Sequence, residues 1–117
     1  MDFNVLWKSY DDKITCIVGH LAYAIEDRFW SFSYDQKGFI EAYQYGFRGF
    51  SEFPFLDGEY HSKRLFPVFE ERIFKKRNAI LTEEQKAQLL IVNNAKLKTD
   101  KINIESKQKT YGKNWCC

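Results

Sequence analysis

Proline, histidine and cysteine are scarce in this chain. Pro54 and Pro67 are the only prolines, and His20 and His61 the only histidines. Three cysteines make an odd count and cannot form a disulfide framework by themselves. Cys16 lies in an apolar run and reads as a buried thiol, while Cys116 and Cys117 are adjacent. No Cys-x-x-Cys or His-x-x-x-His spacing suggests a metal site. No apolar run approaches the ~18 residues that span a bilayer, and no charged-then-apolar leader opens the chain. A reducing cytoplasm fits this cysteine usage best.

Catalytic signatures are missing too. Neither histidine comes with a Gly-x-Ser-x-Gly elbow or a local cysteine partner. His-Arg-Asp, Asp-Phe-Gly and a Gly-rich phosphate cradle are absent. The pairs Glu70-Glu71 and Glu83-Glu84 read as solvated charges on helix surfaces. No catalytic residue, metal ligand or cofactor is assigned. The net charge of +2 hides an asymmetry. Residues 1–92 hold 12 Lys/Arg against 14 Asp/Glu, whereas 93–117 hold six Lys against Asp100 and Glu105. The body therefore attracts no polyanion, and only the tail could meet phosphates.

What the chain does have is rings: 18% of its residues are Phe, Trp or Tyr. A dense run of them falls between Phe50 and Phe69. Phe47 to His61 reads as an aromatic loop, with a short strand around Phe50 to Phe53. It turns at Leu56-Asp57-Gly58 and feeds a helix capped by Ser62, with Pro67 in its first turn. Most such rings go to a core. Loop aromatics are the better candidates to meet a partner, which singles out Phe50, Phe53, Phe55 and Tyr60, with Arg48 and Arg64 at the rim.

Elsewhere the pattern is legible. Phe3 to Tyr10, Ile14 to Tyr23 and Phe29 to Tyr34 read as strands joined by Asp11-Asp12-Lys13 and Glu26-Asp27-Arg28. Trp30, Phe32 and Tyr34 alternate cleanly with Ser31 and Ser33. Gly19 inside the second strand marks a bulge or a close approach. Asp35 caps a helix whose apolar face is Phe39, Ile40 and Tyr43, with Gly46 as its stop. A further helix runs from about Leu65 to Arg77, with Phe66, Phe69, Ile73 and Phe74 on one face. Thr82-Glu83-Glu84-Gln85 is a capping box that opens a third helix through Ala87, Leu90 and Ile91 to Lys96. The expected fold is α+β, an antiparallel meander of three or more strands with two or three helices against it. The expected divisions are an α+β domain over 1–78, an additional helix over 79–98, and a basic, unstructured tail over 99–117.

Four pieces taken in order resemble the N-terminal subdomain of HipA-type proteins. They are Val18-Gly19-His20-Leu21, Trp30-Ser31-Phe32-Ser33-Tyr34, Ser51-Glu52-Phe53-Pro54-Phe55-Leu56, and Tyr60 through Phe69. Together they cover roughly residues 5–77. No kinase core follows, so a free-standing HipS-like protein of three-part HipBST toxin–antitoxin systems is the nearer analogue. The resemblance implies a non-catalytic interaction module that binds and restrains a HipA- or HipT-like serine/threonine kinase, with a HipB-like helix-turn-helix protein as a further partner. It does not extend past Asn78. The alternative is a nucleic-acid-associated accessory using the basic tail with Arg48, Lys63 and Arg64. Tyr45, Phe47, Arg48 and Phe50 could stack bases, but Glu52, Asp57 and Glu59 stand among them.

Overall fold

The computed structural model describes residues 1–73, 81–93 and 101–107. It is an α+β protein. Among the described residues, five antiparallel strands form one open sheet in the order β4-β3-β2-β1-β5. The strands are β1 (Asp2–Lys8), β2 (Thr15–Ala24), β3 (Phe29–Tyr34), β4 (Tyr60–Ser62) and β5 (Ile102–Ser106). The helices are α1 (Gln36–Gln44), α2 (Pro67–Ile73) and α3 (Glu83–Asn93).

Alternation makes the sheet. In β3, Trp30, Phe32 and Tyr34 are buried and Ser31 and Ser33 face outward, as period two demands. Register carries that inner face across the neighbours, from Phe32 to Leu21 to Phe3 to Ser106. β2 breaks its own parity. Val5 pairs with Gly19 but Leu6 pairs with Ile17, so Val18 is the extra residue of a bulge. Both Val18 and Gly19 are buried. A Cβ on Gly19 would lie 2.5 Å from the Phe32 ring, so bulge and close approach occur together.

Two strands were not expected. β4 occupies part of what reads as loop. β5 corrects the expectation of an unstructured tail for Ile102–Ser106; the parts of that expectation at 99–100 and 108–117 lie outside the described residues. β5 pairs with β1 from Phe3↔Ser106 to Trp7↔Ile102 and buries Ile102, Ile104 and Ser106. A lone segment of that composition could not stay ordered, but β1 supplies a hydrogen-bonded edge and an apolar row to join. Ala87, Leu90, Ile102 and Ile104 belong to the same buried cluster as Phe3 and Phe32, so the boundary expected near residue 78 separates no cores.

The turns fall where expected, with Asp12 at φ 61° and Arg28 at φ 58°. Pro67 is the first residue of α2, and Phe66 and Phe69 are buried. Ile73's side chain, Phe74 and the helix to Arg77 lie outside what is described, as do Lys96 and everything after Lys107. Ser62 does not cap α2. It ends β4, and its hydroxyl accepts from the Arg64 N–H at 3.1 Å. The Thr82 box closes reciprocally: the Gln85 N–H donates to the Thr82 hydroxyl at 3.1 Å, and the Thr82 N–H to the Gln85 side chain at 2.9 Å.

Glu83 is not the solvated charge that its position suggests. It accepts from the Trp30 indole at 3.0 Å, the Leu65 N–H at 2.9 Å and the Lys86 ammonium at 3.0 Å. Burial pushes its carboxyl up, but those three donors together hold it below the ordinary value. Buried Lys86 also reaches Glu70 at 3.1 Å, so α3 is pinned to both β3 and α2. Cys16 is the buried thiol expected, pushed up by burial and then by Glu41.

Candidate interaction surface

The surface begins with how α1 is seated. Asp35 Oδ1 accepts from the Gly38 N–H at 2.8 Å, which caps the helix, while Oδ2 meets His20 Nε2 at 3.1 Å. Burial raises the Asp35 carboxyl, but the Gly38 N–H and His20 outweigh it and leave it lowered. The Asp35 N–H donates to the Val18 carbonyl at 2.9 Å. β3 ends at Tyr34, which pairs with Gly19, so α1 covers the stretch of β2 that lies beyond β3. Its backbone comes so close that a Cβ on Gly38 would sit 1.7 Å from the Ile17 carbonyl oxygen.

That seating decides which face of α1 is inside. Gly38 and Ala42, four residues apart, face β2, and Ala42 is fully buried. The expected apolar face is therefore split. Phe39 packs edge-on to Tyr34 and Phe47, at centroid distances of 5.1 and 5.3 Å. Ile40 and Tyr43 are left 56% and 51% exposed. Gly46 follows the helix with φ 118°, as its stop.

The loop after α1 is folded inward by one hydroxyl. Tyr34 accepts from the Phe50 N–H at 2.9 Å and donates to the Phe53 carbonyl at 2.7 Å. With those backbone groups satisfied, the loop can be buried. Phe50 and Phe53 accordingly lie in the core, where Phe53 stacks on Phe32 at 4.3 Å. This corrects their assignment as partner-facing anchors. The expected strand there is a single Phe50↔Phe53 bridge. Tyr60 is half-buried, and its hydroxyl clamps the turn by accepting from the Phe55 N–H at 2.8 Å and donating to the Phe55 carbonyl at 3.1 Å. The clamp leaves the Phe55 ring outside, 68% exposed. Arg48 and Arg64 are both exposed. Arg48 lies on this surface; Arg64 does not line the groove.

Between α1 and the loop runs a groove of about 360 Å³, lined by Phe39, Arg48, Phe50, Phe53 and Leu56 among others. Tyr43 stacks beside the lining residue Phe39 and under Arg48, and Phe55 lies in the chain between the lining residues Pro54 and Leu56. Ile40 and Tyr43 are the surface residues that sequence reading assigned to a core-facing helix side. The available signal was the small pair Gly38 and Ala42, which marks the helix side that lets backbones meet.

Other polar groups gather at two places. His20 sits on the outer sheet face, with Nε2 on Asp35 and Nδ1 3.3 Å from the Lys107 ammonium. Both ring nitrogens are engaged, which leaves neither for a serine or cysteine in this arrangement. His61 meets Glu59 at 3.3 Å in the open. A second pocket of about 420 Å³ mixes Arg28 and Lys63 with Glu83 and Glu84, so it favours neither sign of charge. Among the described residues no group of three His, Cys, Asp or Glu could hold a metal ion, and no helix is long and apolar enough to cross a membrane. No family model matches the chain, and no curated protein or solved structure is significantly similar to it.

Proposed function

We propose that this chain is a non-catalytic interaction module that docks on a serine/threonine kinase of the HipA type and restrains it, as the HipS-like resemblance implies. The observation that supports the reading is the exposure of three large apolar side chains, Ile40 and Tyr43 on α1 and Phe55 on the loop after it, the two segments whose Phe39 and residues 48–56 supply the groove's lining. A concentrated apolar patch is the usual mark of an interaction site. Aromatic anchors at the centre of such a patch can each supply about 2 kcal/mol or more of binding. The four segments behind the resemblance also pack together, since Val18, Leu21, Trp30, Phe32, Phe53 and Phe69 share one buried cluster.

The nucleic-acid alternative is weakened by burial. Of its four candidate stacking residues, Phe47 and Phe50 are inside, which leaves Tyr45 and Arg48. The test is co-purification with the product of a neighbouring kinase gene. A complex at micromolar concentration is expected, weakened at least about tenfold by the pair Ile40→Asp and Phe55→Ala. Absence of any complex, or a complex indifferent to that pair, refutes the reading. Removing residues 108–117, which spares β5, separates the alternative: lost nucleic-acid binding with retained kinase binding assigns phosphate contact to that segment.

A further inference from the structure

Arg48 is exposed, yet its guanidinium is engaged at three points. Its guanidinium carbon lies 4.2 Å from the centroid of the Tyr43 ring. Its Nη1 donates to the Tyr43 and Phe47 carbonyls, both at 3.1 Å. The Tyr43 carbonyl belongs to the last turn of α1, where backbone dipoles favour a cation. Nε and Nη2 make no hydrogen bond among the described residues, and no described carboxylate is within ion-pair distance of Arg48. A cation already fixed in orientation, with half of its fork unused, loses little entropy when it pairs.

This cation stands at a groove in which four of the eight other lining residues are rings, Tyr34, Phe39, Phe50 and Phe53. A volume of about 360 Å³ is at the small end for ligand sites, the size for one large side chain and its flanking backbone. Aromatic walls select an apolar side chain, and the fixed guanidinium selects a carboxylate beside it. We infer that the groove between α1 and the loop at 49–56 takes an extended peptide segment of the partner, carrying a Phe- or Leu-sized side chain with Asp or Glu next to it. The inference rests on the interaction-module reading and names the chemistry of what the module grips.

The test is an amide NMR titration of the full chain with two synthetic probes. One is acetyl-Gly-Ser-Asp-Phe-Asp-Ser-Gly-amide, and the other has lysine in place of both aspartates. The acidic probe is expected to shift Gly49, Phe50, Ser51 and Leu56. Arg48→Gln is expected to weaken it roughly fivefold, and Arg48→Lys to restore part of the loss. Well-dispersed spectra of each variant establish that it is folded, and Ser51→Trp, which fills the groove from an exposed position, is expected to abolish the shifts. No response up to ~1 mM acidic probe, an equal response to the lysine probe, or indifference to Arg48→Gln overturns the inference. So does concentration-dependent shifting of the same residues in the chain alone, which assigns the groove to a second copy. Kinase co-purification is scored separately. A retained complex with no probe binding refutes only the groove chemistry, and probe binding with no complex refutes only the kinase reading.

Discussion

Replacing Gly38 by alanine sets two physical rules against each other. In an isolated helix the change is favourable by about 1 kcal/mol, because alanine loses less backbone freedom on folding. In this protein the new methyl carbon would start 1.7 Å from the Ile17 carbonyl oxygen and 2.8 Å from its carbon. Cβ contacts under 3.0 Å are essentially never seen, and the obstacle is backbone. The helix must therefore retreat from β2 by roughly 1.3 Å, the gap between 1.7 and 3.0 Å. Retreat strains the Asp35 N–H bond to Val18, the Asp35–His20 pair and the burial of Ala42 together. Overpacking of this kind costs about 1–3 kcal/mol, and a weakened cap about 1 more. Net of the propensity gain, destabilisation of about 2 kcal/mol is expected, which lowers the melting midpoint by on the order of 10 °C. Thermal and urea unfolding followed by circular dichroism measure it. Lys37→Ala, one residue earlier and exposed, is the control and should stay within about 0.5 kcal/mol of the parent. An unchanged or raised midpoint for Gly38→Ala would refute the seating of α1 on β2, and with it the account of why Ile40 and Tyr43 face outward.

Other consequences are as definite. Tyr34→Phe keeps the ring but strands the Phe50 N–H in a buried site, so urea unfolding should show a loss of about 2 kcal/mol. Glu83→Gln removes the anion that Lys86, Trp30 and the Leu65 N–H surround, and should cost roughly 2 kcal/mol at neutral pH. Because the folded Glu83 carboxyl lies below its ordinary value, its contribution is complete above that value and is lost as pH falls through the lower, folded one. The stability gap between parent and Glu83→Gln should therefore narrow as pH drops from about 6 to about 3, and a gap that widens contradicts the assignment. Ending the chain at residue 100 should abolish cooperative unfolding, whereas ending it at 107 should not. Equal melts for the two would remove β5 from the fold.

What could be read in advance was whatever is encoded within a few neighbours. The Trp30-Phe32-Tyr34 alternation, the Asp35 cap and the reciprocal Thr82–Gln85 box are local devices, and each is in place. Gly19 gave warning of its bulge. What escaped depends on distant groups. Phe50 and Phe53 can be interior only because a hydroxyl 16 and 19 residues earlier takes up their backbone bonds. β5 alternates Ile102, Asn103, Ile104 and Glu105 correctly, but its Lys- and Asn-rich flanks mask it, and only β1 makes it a strand. Glu83 looks like any exposed helix carboxylate until Trp30, 53 positions away, is brought against it. For the surface, Arg48 and Phe55 were legible as exposed loop residues. Ile40 and Tyr43 were not, because an apolar stripe on a helix does not say which side its neighbour approaches.

The pairing of β1 with β5 has a consequence for biosynthesis. A ribosome delivers Asp2–Lys8 nearly a hundred codons before Ile102–Ser106. At translation speeds of about 5–20 residues per second, that interval is roughly 5–20 s. Throughout it, the nascent polypeptide carries a strand with one bare flank next to Phe3, Val5 and Trp7, a template for any passing extended segment. That flank stays open until β5 has cleared the exit tunnel and can pair with it.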